Sequence, residues 1–335
     1  MVKRILCIDG GGIRGLIPAM ILAELETRIA TVAGNPKPLH ACFDMIAGTS
    51  TGGIIAAGLT ASSGPVHAPQ AACTAQALVD LYVNQGETIF PQDIFQKVHL
   101  LTGAKYDAGP LEGLLLKALG EATTGTALTN VVMPAYDIYN RQAVFLAGGP
   151  AYAVRNPAEA VYYMRDCARA TSAAPTYFEP AHTPVVGTQN YLSLIDGGVF
   201  ANDPAMCALI EGMKLGWTID QIEMLSIGTG SQNRHYPYYE ARHWNVIDWI
   251  SPAKGSPILS ILMQGASSTT AYQLKHMLNG GEDAGRYTRI DGDIEHANDE
   301  MDDASPDNIE MLKNLATGWI KTNSGDIDAW SEKLK

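Results

Sequence analysis

Long apolar runs are missing from this 335-residue chain: no window holds the roughly 18 uninterrupted apolar residues that a transmembrane helix needs. The first apolar run stops at Asp9 and passes into glycines, unlike a secretory signal peptide, so we expect a cytoplasmic or injected protein. Cysteine is scarce as well. The five cysteines are scattered and never spaced C-x-x-C, which argues against a disulfide framework or a zinc site. We therefore expect buried free thiols and no zinc site. We also expect no other metal ion and no cofactor.

Positive charge is also in short supply. The chain has 23 Lys and Arg against 35 Asp and Glu, a net charge of −12 and a pI near 5.1. A nucleic-acid polymer is bound through a basic surface, so we do not expect one as a partner. An anionic membrane is repelled too, within a Debye length of roughly 8 Å. A lipid surface would therefore have to be held by apolar contacts or by a local basic patch.

Strand and helix patterns alternate along the chain. Strands are predicted at 4–8, 43–47, 130–136, 143–146, 191–195 and 223–227. Helices are predicted near 15–30, 52–61, 110–119, 158–170, 203–215, 258–277 and after the cap residue Ser305. Such alternation is typical of an α/β fold with a mainly parallel sheet covered on both faces. We expect one domain over 1–335, with 61–130 and 230–290 as cap or insertion segments.

The glycines after the first strand allow two interpretations. Gly10, Gly12 and Gly15 satisfy G-x-G-x-x-G, the fingerprint of dinucleotide binding. That fold also wants an acidic residue about 20 residues further on, at the end of its second strand, to bind the ribose hydroxyls. The segment TVAGNPKPLH offers none, and Asp44 lies at the start of a strand. Three consecutive glycines instead predict a concave nest of backbone N–H groups.

A second glycine-flanked turn carries a serine. In Gly48-Thr49-Ser50-Thr51-Gly52 a strand pattern passes sharply into a helix pattern, which is typical of a nucleophile elbow. Small neighbours at Gly48 and Gly52 permit the strained backbone that projects the serine hydroxyl out of the sheet. The helix N-terminus behind Ser50 favours developing negative charge.

A nucleophilic serine needs an oxyanion hole, and the first glycine loop can supply it. We expect the Gly10–Gly12 segment to form this site, with N–H donors from Gly11 and Gly12. Glycine permits the positive φ angles and close approach that such a nest requires. Arg14 either braces the loop or attracts an anionic head group, and bracing is the favoured role.

The serine also needs a base, for which histidine is the usual residue. Only the four histidines at 235, 243, 276 and 296 follow Asp196, as the Ser-Asp-His order of α/β-hydrolases requires, and none lies in a strand-end motif. Asp196 itself ends an apolar strand and precedes Gly197 and Gly198, which places it at the edge of a sheet. Asp-Gly is also a common turn pair, so a turn former remains the alternative.

Two further stretches have competing interpretations. In 290–303, Asp291, Asp293 and Glu295 alternate like calcium ligands, but His296 stands where a calcium loop needs glycine, and position twelve is aspartate, so a solvated acidic segment is favoured. In 258–263, ILSILM could dock on a membrane, although a buried core helix is the favoured interpretation.

Taken in order, Asp9-Gly10-Gly11-Gly12-Ile13-Arg14-Gly15, Gly48-Thr49-Ser50-Thr51-Gly52 and Asp196-Gly197-Gly198 resemble the motifs of the patatin-like phospholipase family. Three further stretches look like bacterial members: ARATSAAPTYF, NDP and MDDASPDNIEMLK. Relatives usually carry Asn-Asn-Pro where this chain has NDP, so Asp203 departs from the family pattern. The resemblance covers nearly the whole chain.

The resemblance implies a three-layer α/β/α fold and a lipid acyl hydrolase of the phospholipase A or lysophospholipase type. By motif, Ser50 is the nucleophile, Asp196 the base with no catalytic histidine, and Gly10–Gly12 the oxyanion loop. The substrate would be a phospholipid or another acyl-ester lipid, met at a transient membrane surface.

Two other functions stay open at this point. Acyltransferases related to the malonyl transferases share the elbow, but they carry histidine beside the serine, where this chain has Thr49 and Thr51. Some bacterial relatives are effectors whose hydrolase is switched on by a partner or a nucleotide signal, which leaves a small activator open. Head-group preference and oligomeric state do not follow from the sequence.

Overall fold

The computed structural model describes residues 1–65, 67–91, 103–155, 160–231, 234–251, 254–281, 285–294, 298 and 300–335. Its strands are β1 (Lys3–Ile8), β2 (Met45–Gly48), β3 (Ser62–Ser63), β4 (Gln70–Ala71), β5 (Asn130–Asp137), β6 (Gln142–Gly148), β7 (Ala181–Pro184), β8 (Tyr191–Asp196), β9 (Ile222–Ile227) and β10 (Tyr287–Ile290). The first helices are α1 (Leu16–Ala33), α2 (Thr51–Thr60), α3 (Ala75–Ile89), α4 (Gly109–Leu119), α5 (Pro150–Arg155), α6 (Met164–Thr171) and α7 (Gly198–Ala201). The later helices are α8 (Ala205–Lys214), α9 (Tyr238–Ala241), α10 (Val246–Ile250), α11 (Pro257–Asn279), α12 (Pro306–Thr322) and α13 (Ser324–Leu334).

One eight-stranded sheet organises the chain. Its strand order is β10-β9-β1-β2-β5-β8-β7, with β6 on the other edge of β5. The strands from β10 to β5 in this order are parallel, whereas β6, β7 and β8 pair antiparallel. The prediction of a mainly parallel sheet is confirmed.

Helices cover both faces of this sheet. Along β1, Leu6 and Ile8 belong to a core shared with α1, α2 and α12, while Ile5 and Cys7 belong to a second core shared with α8 and α11. Successive side chains of a strand point to opposite faces, so two cores on one strand mean that both faces are buried. The layers are therefore helix, sheet and helix.

Two strands meet end to end on one edge of β5. Because β6 occupies residues 131–137 of β5 along its whole length, β2 and β8 must both lie on the opposite edge. There β2 runs parallel beside residues 130–132, and β8 runs antiparallel beside residues 135–137. The carboxyl ends of β2 and β8 thus point toward each other. This junction brings the serine turn and the Asp196 turn together.

Several predicted elements need correction. The helix expected over 158–170 begins at Met164, and residues 160–163 before it are not helical. The preference for a buried helix at 258–263 is wrong, because Ile258, Ile261 and Leu262 are about half exposed and only Met263 is buried. The prediction of a single domain with inserted segments at 61–130 and 230–290 stays a prediction.

Two other expectations concern cysteines and membranes. All five cysteines are free thiols, but only Cys7, Cys42 and Cys167 are buried as predicted, whereas Cys73 and Cys207 are partly exposed. Among the helices that the structure describes, none combines the length and apolar character that crossing a bilayer demands.

Candidate active site

Ser50 lies on a strained turn between β2 and α2. Its φ of 55° and ψ of −124° fall in a region that residues other than glycine rarely occupy. The turn is held by the Ser50 N–H, which donates to Thr171 Oγ1 at 3.1 Å, and by Thr49 Oγ1, which donates to the carbonyl of Ala201 at 2.7 Å. The strained serine is therefore fixed from two sides.

The glycines flanking Ser50 are required by close packing. A Cβ atom on Gly48 would lie 2.0 Å from the carbonyl oxygen of Gly52. A Cβ atom on Gly52 would lie 2.2 Å from the carbonyl oxygen of Ile8 on the neighbouring strand. Side chains at either position would clash with main-chain atoms, so the elbow geometry depends on glycine.

The first glycine loop presents two N–H groups. Gly10 uses its own N–H, which donates to the carbonyl of Asn202 at 3.0 Å, and Ile13 N–H donates to the carbonyl of Met301 at 2.8 Å. Between them, the N–H groups of Gly11 and Gly12 have no hydrogen-bond partner among the described residues. Gly12 has a φ of +60° and lines the same cavity as Ser50.

Arg14 supports the glycine loop through side-chain hydrogen bonds. Its buried guanidinium donates through Nε to the carbonyl of Gly11 and through Nη1 to the carbonyl of Gly230, both at 3.2 Å. The carbonyl of Gly10 accepts the Thr229 hydroxyl at 2.6 Å. Gly10 and Arg14 thus hold the loop, and the available N–H donors are those of Gly11 and Gly12.

Asp196 ends β8 and is almost completely buried. Its Oδ1 accepts the N–H of Gly198 at 2.6 Å, while its Oδ2 makes no well-formed hydrogen bond to any described residue. Burial raises the pKa of Asp196 from 3.8 to about 7, and the neighbouring Ser50 hydroxyl and the Gly198 N–H oppose this rise. The carboxyl is therefore a stronger base than an exposed aspartate.

Ser50, Asp196 and Gly12 open into one apolar cavity. The empty space within it, including the open solvent at its mouth, is about 760 Å³. Its other walls come from α2, α3, α4, the segment after α6, and α11. These walls include Ile54, Leu81, Tyr82, Ile89, Phe90, Leu111, Leu114, Leu115, Tyr177, Phe178, Met263 and Met301. No histidine is found among the described residues that line it.

A cluster of charges that the sequence analysis did not find lies behind the two loops. Arg289 of β10 binds Asp9 with both terminal nitrogens, at 2.8 and 2.6 Å, and also contacts Asp203 at 3.2 Å and Asp291 at 2.7 Å. Burial alone would lower the pKa of Arg289, but the three carboxylates raise it, so the group stays a cation. Asp203, which stands where relatives usually have asparagine, is thus tied through Arg289 to the residue preceding the glycine loop.

The acidic stretch 290–303 does not gather as a calcium site in the described residues. Asp291 pairs with Arg289, and Asp302 pairs with Lys105 and accepts the Tyr106 hydroxyl. Glu295 and His296 lie outside the described residues. Among the side chains that are described, no group of three or more His, Cys, Asp or Glu is placed to hold a metal ion.

Comparison with known proteins identifies the family of this chain. Residues 6–209 match the family model "Patatin-like phospholipase". The chain belongs to the patatin-like phospholipase family. Membership places this patatin-like protein among the lipid hydrolases, and the matched range contains Ser50, Asp196 and the glycine loop.

Individual relatives agree with the family model. Patatin-like protein 2 of Arabidopsis thaliana is 35% identical over 342 residues, which cover 95% of this chain and 82% of the relative. Patatin-17 of Solanum cardiophyllum is 32% identical over 356 residues, covering 99% of this chain and 87% of the relative. Among solved structures, VipD from Legionella pneumophila aligns with a TM-score of 0.38 at 10% identity, covering 95% of this chain and 67% of VipD.

Proposed function

We propose that this patatin-like protein hydrolyses carboxylic esters of phospholipids as a phospholipase A or lysophospholipase, with Ser50 as nucleophile and Asp196 as base. One observation carries the proposal. A strained serine, a buried carboxyl with a raised pKa and Gly12 all line one apolar cavity, and the N–H groups of Gly12 and of its neighbour Gly11 have no hydrogen-bond partner among the described residues.

The chemistry follows from these positions. In its ionised form Asp196 takes the proton of Ser50 while Oγ forms a bond to the ester carbonyl carbon, and the carbonyl oxygen becomes an oxyanion. The N–H groups of Gly11 and Gly12 would hold that oxyanion, an effect worth about 2.7–4 kcal/mol per donor in other hydrolases. When the bond to the alcohol breaks, Asp196 returns the proton to the leaving oxygen.

The acyl-enzyme is then cleaved by water. Asp196 takes a proton from the attacking water, a second tetrahedral oxyanion forms in the same place, and the proton returns to Ser50 as the fatty acid leaves. A carboxylate with an ordinary pKa near 4 is a weak base for a hydroxyl, so the raised pKa of Asp196 favours both proton transfers.

The cavity fits the acyl half of such a substrate. Leu111, Leu114 and Leu115 of α4 line it together with Phe90 and Phe178, and these side chains offer contact to a hydrocarbon chain rather than to a head group. Burying each methylene is worth roughly 0.8 kcal/mol, so several methylenes provide substantial binding energy. This supports an acyl-chain site and leaves the polar alcohol toward the opening.

The test compares two serines that line the same cavity. Ser50→Ala and Asp196→Ala should each abolish hydrolysis of a short p-nitrophenyl ester, whereas Ser172→Ala should retain it, because Ser172 Oγ donates to the carbonyls of Ala168 and Arg169. A fluorophosphonate should label Ser50, and mass spectrometry of products from mixed phospholipids should show free fatty acids. Labelling of another residue, or a histidine variant as inactive as Ser50→Ala, would contradict the proposal.

A further inference from the structure

Large apolar side chains are exposed in unusual number between residues 238 and 262. These 25 residues contain nine of the 24 large apolar side chains that are exposed in the described chain. The nine, which we call the apolar patch, are Tyr238, Tyr239, Val246, Ile247, Trp249, Ile250, Ile258, Ile261 and Leu262. Scattered apolar residues are normal on a protein surface, whereas a contiguous apolar patch marks a binding surface, and helices α10 and α11, which carry seven of the nine, pack against each other.

A network of rings and one lysine fixes the patch in place. Trp244 packs edge-on against Tyr236 at 5.0 Å and against Trp249 at 5.1 Å between ring centroids. Lys254 lies over the Trp244 ring at 4.7 Å and pairs with Asp248 at 2.9 Å. The exposed side chains of α10 are therefore carried on an ordered support.

The apolar patch adjoins the candidate active site. Helix α11 presents Leu262 to the outside, and the next residue, Met263, is buried and lines the cavity that contains Ser50. The side chain of Ser256, which precedes α11, interacts with Tyr177, another residue of the cavity wall. One helix thus has the patch on one face and the cavity on the other.

The charge around the patch differs from that of the rest of the chain. Between residues 234 and 262 there are three cationic side chains and two anionic ones, a net charge of +1 in a protein of net charge −12. An anionic surface is repelled by the acidic remainder, and the repulsion fades within roughly 8 Å at physiological salt, whereas a zwitterionic surface has no net charge to be repelled. Residues 234–262 do not add to this repulsion, so the protein can approach a phospholipid surface with this segment foremost.

We propose that the apolar patch docks the protein on the surface of a phospholipid bilayer, with the opening of the cavity turned toward the lipid. The proposal rests on the proposed lipid hydrolase function. Tyrosine and tryptophan side chains favour the boundary between water and hydrocarbon, and the aliphatic side chains of α10 and α11 enter the outer acyl region. The docked protein then draws a lipid from the bilayer along α11 into the cavity.

The first experiment separates docking from catalysis. In the Ser50→Ala background, which cannot hydrolyse its target, binding to phosphatidylcholine vesicles is measured by sedimentation. Adding Ile247→Asp and Leu262→Asp should weaken vesicle binding at least tenfold. Val154→Asp, which alters an even more exposed apolar residue on α5, outside the patch, serves as the control and should change binding less than twofold.

The second experiment measures activity with Ser50 present. Ile247→Asp and Leu262→Asp should reduce vesicle hydrolysis at least tenfold but leave hydrolysis of a soluble p-nitrophenyl ester within twofold, since the cavity is untouched. If the aspartates disturb folding, Tyr239→Ser and Val246→Ser change side chains that are more than three-quarters exposed, and these variants should weaken binding at least threefold. Failure of the proposed function would appear as soluble esterase activity that survives Ser50→Ala, whatever the vesicles show.

Two results would overturn the docking proposal. One is unchanged vesicle affinity of the patch variants. The other is a dimer in light scattering that the patch variants convert to monomers, because the patch would then be an interface between two copies of the chain.

Discussion

Asp196 should make the protein less stable as the pH rises from about 4 to about 7. Burial holds the pKa of its carboxyl near 7 in the folded chain, whereas in an unfolded chain water solvates the carboxylate and the pKa returns to about 3.9. Between these two values the folded chain holds a proton that the unfolded chain has released. The free energy of unfolding therefore falls as the pH rises, and the loss is complete above pH 7.

The magnitude follows from the separation of the two pKa values. About three pH units separate them, and each unit corresponds to about 1.36 kcal/mol, so on the order of 4 kcal/mol of stability is lost. Asp196→Asn removes this titration while keeping the shape of the side chain. The variant should therefore gain about 4 kcal/mol relative to the parent protein between pH 4 and pH 8.

The assay is urea unfolding of both proteins at pH 4.5, 6 and 8, followed by tryptophan fluorescence. Other buried carboxyls, such as Asp9 and Asp203, titrate in both proteins and cancel in the difference. A difference in stability that does not change with pH would refute the reasoning. In parallel, kcat/KM of the parent protein on a soluble ester should rise with pH through an apparent pKa near 7, because the base must be ionised. A flat profile from pH 6 to 8 would exclude Asp196 as that base.

Three further predictions concern the glycine loop, the charges around Arg289 and the cavity wall. Gly12→Ala should abolish most activity and lower the free energy of unfolding by about 1–3 kcal/mol, because its Cβ would lie 2.0 Å from a carbonyl oxygen and its φ is +60°. The control is Gly34→Ala, which has a φ of +73° but lies in open space and should keep full esterase activity. Arg289→Gln should cost about 3–5 kcal/mol in urea unfolding by leaving buried carboxylates unpaired, and adding Asp203→Asn should restore part of it. Leu115→Trp should shift the preference among p-nitrophenyl esters toward short acyl chains, and an unchanged chain-length profile would place the acyl group elsewhere.

The central strands could be predicted because strands buried on both faces appear in the sequence as apolar runs. The apolar runs at β1, β5 and β9 lie within two residues of their predicted bounds. The short strands β7 and β10 were missed for a physical reason: AHTP ends in proline, and YTRI carries a charged residue in its middle. Helices α3 and α13 were missed too, and α3 lies in the segment 61–130 that was interpreted as a cap or insertion.

The candidate site likewise has residues that the sequence predicts and residues that it does not. Ser50 and the glycines around it depend on local backbone geometry, and local geometry leaves a local pattern in the sequence. The partnership of Asp9 with Arg289 joins residues 280 positions apart, and only the sheet order β10-β9-β1 brings them together. The prediction of a buried helix at 258–263 failed because helical periodicity identifies an apolar face but does not show whether another element covers that face.

The buried carboxyls near the two loops differ in their partners, and this difference suits the proposed chemistry. Asp9, Asp203 and Asp291 surround Arg289, where they hold the loops, and none of them lines the cavity that contains Ser50. No Lys, Arg or His side chain among the described residues pairs with Asp196. A cation beside Asp196 would favour its ionised form and lower its pKa, which would weaken it as a base for a hydroxyl. The fold thus uses a cation to anchor the glycine loop and places none beside the carboxyl near Ser50, so the same residue type is a structural anchor in one place and the proposed proton acceptor in the other.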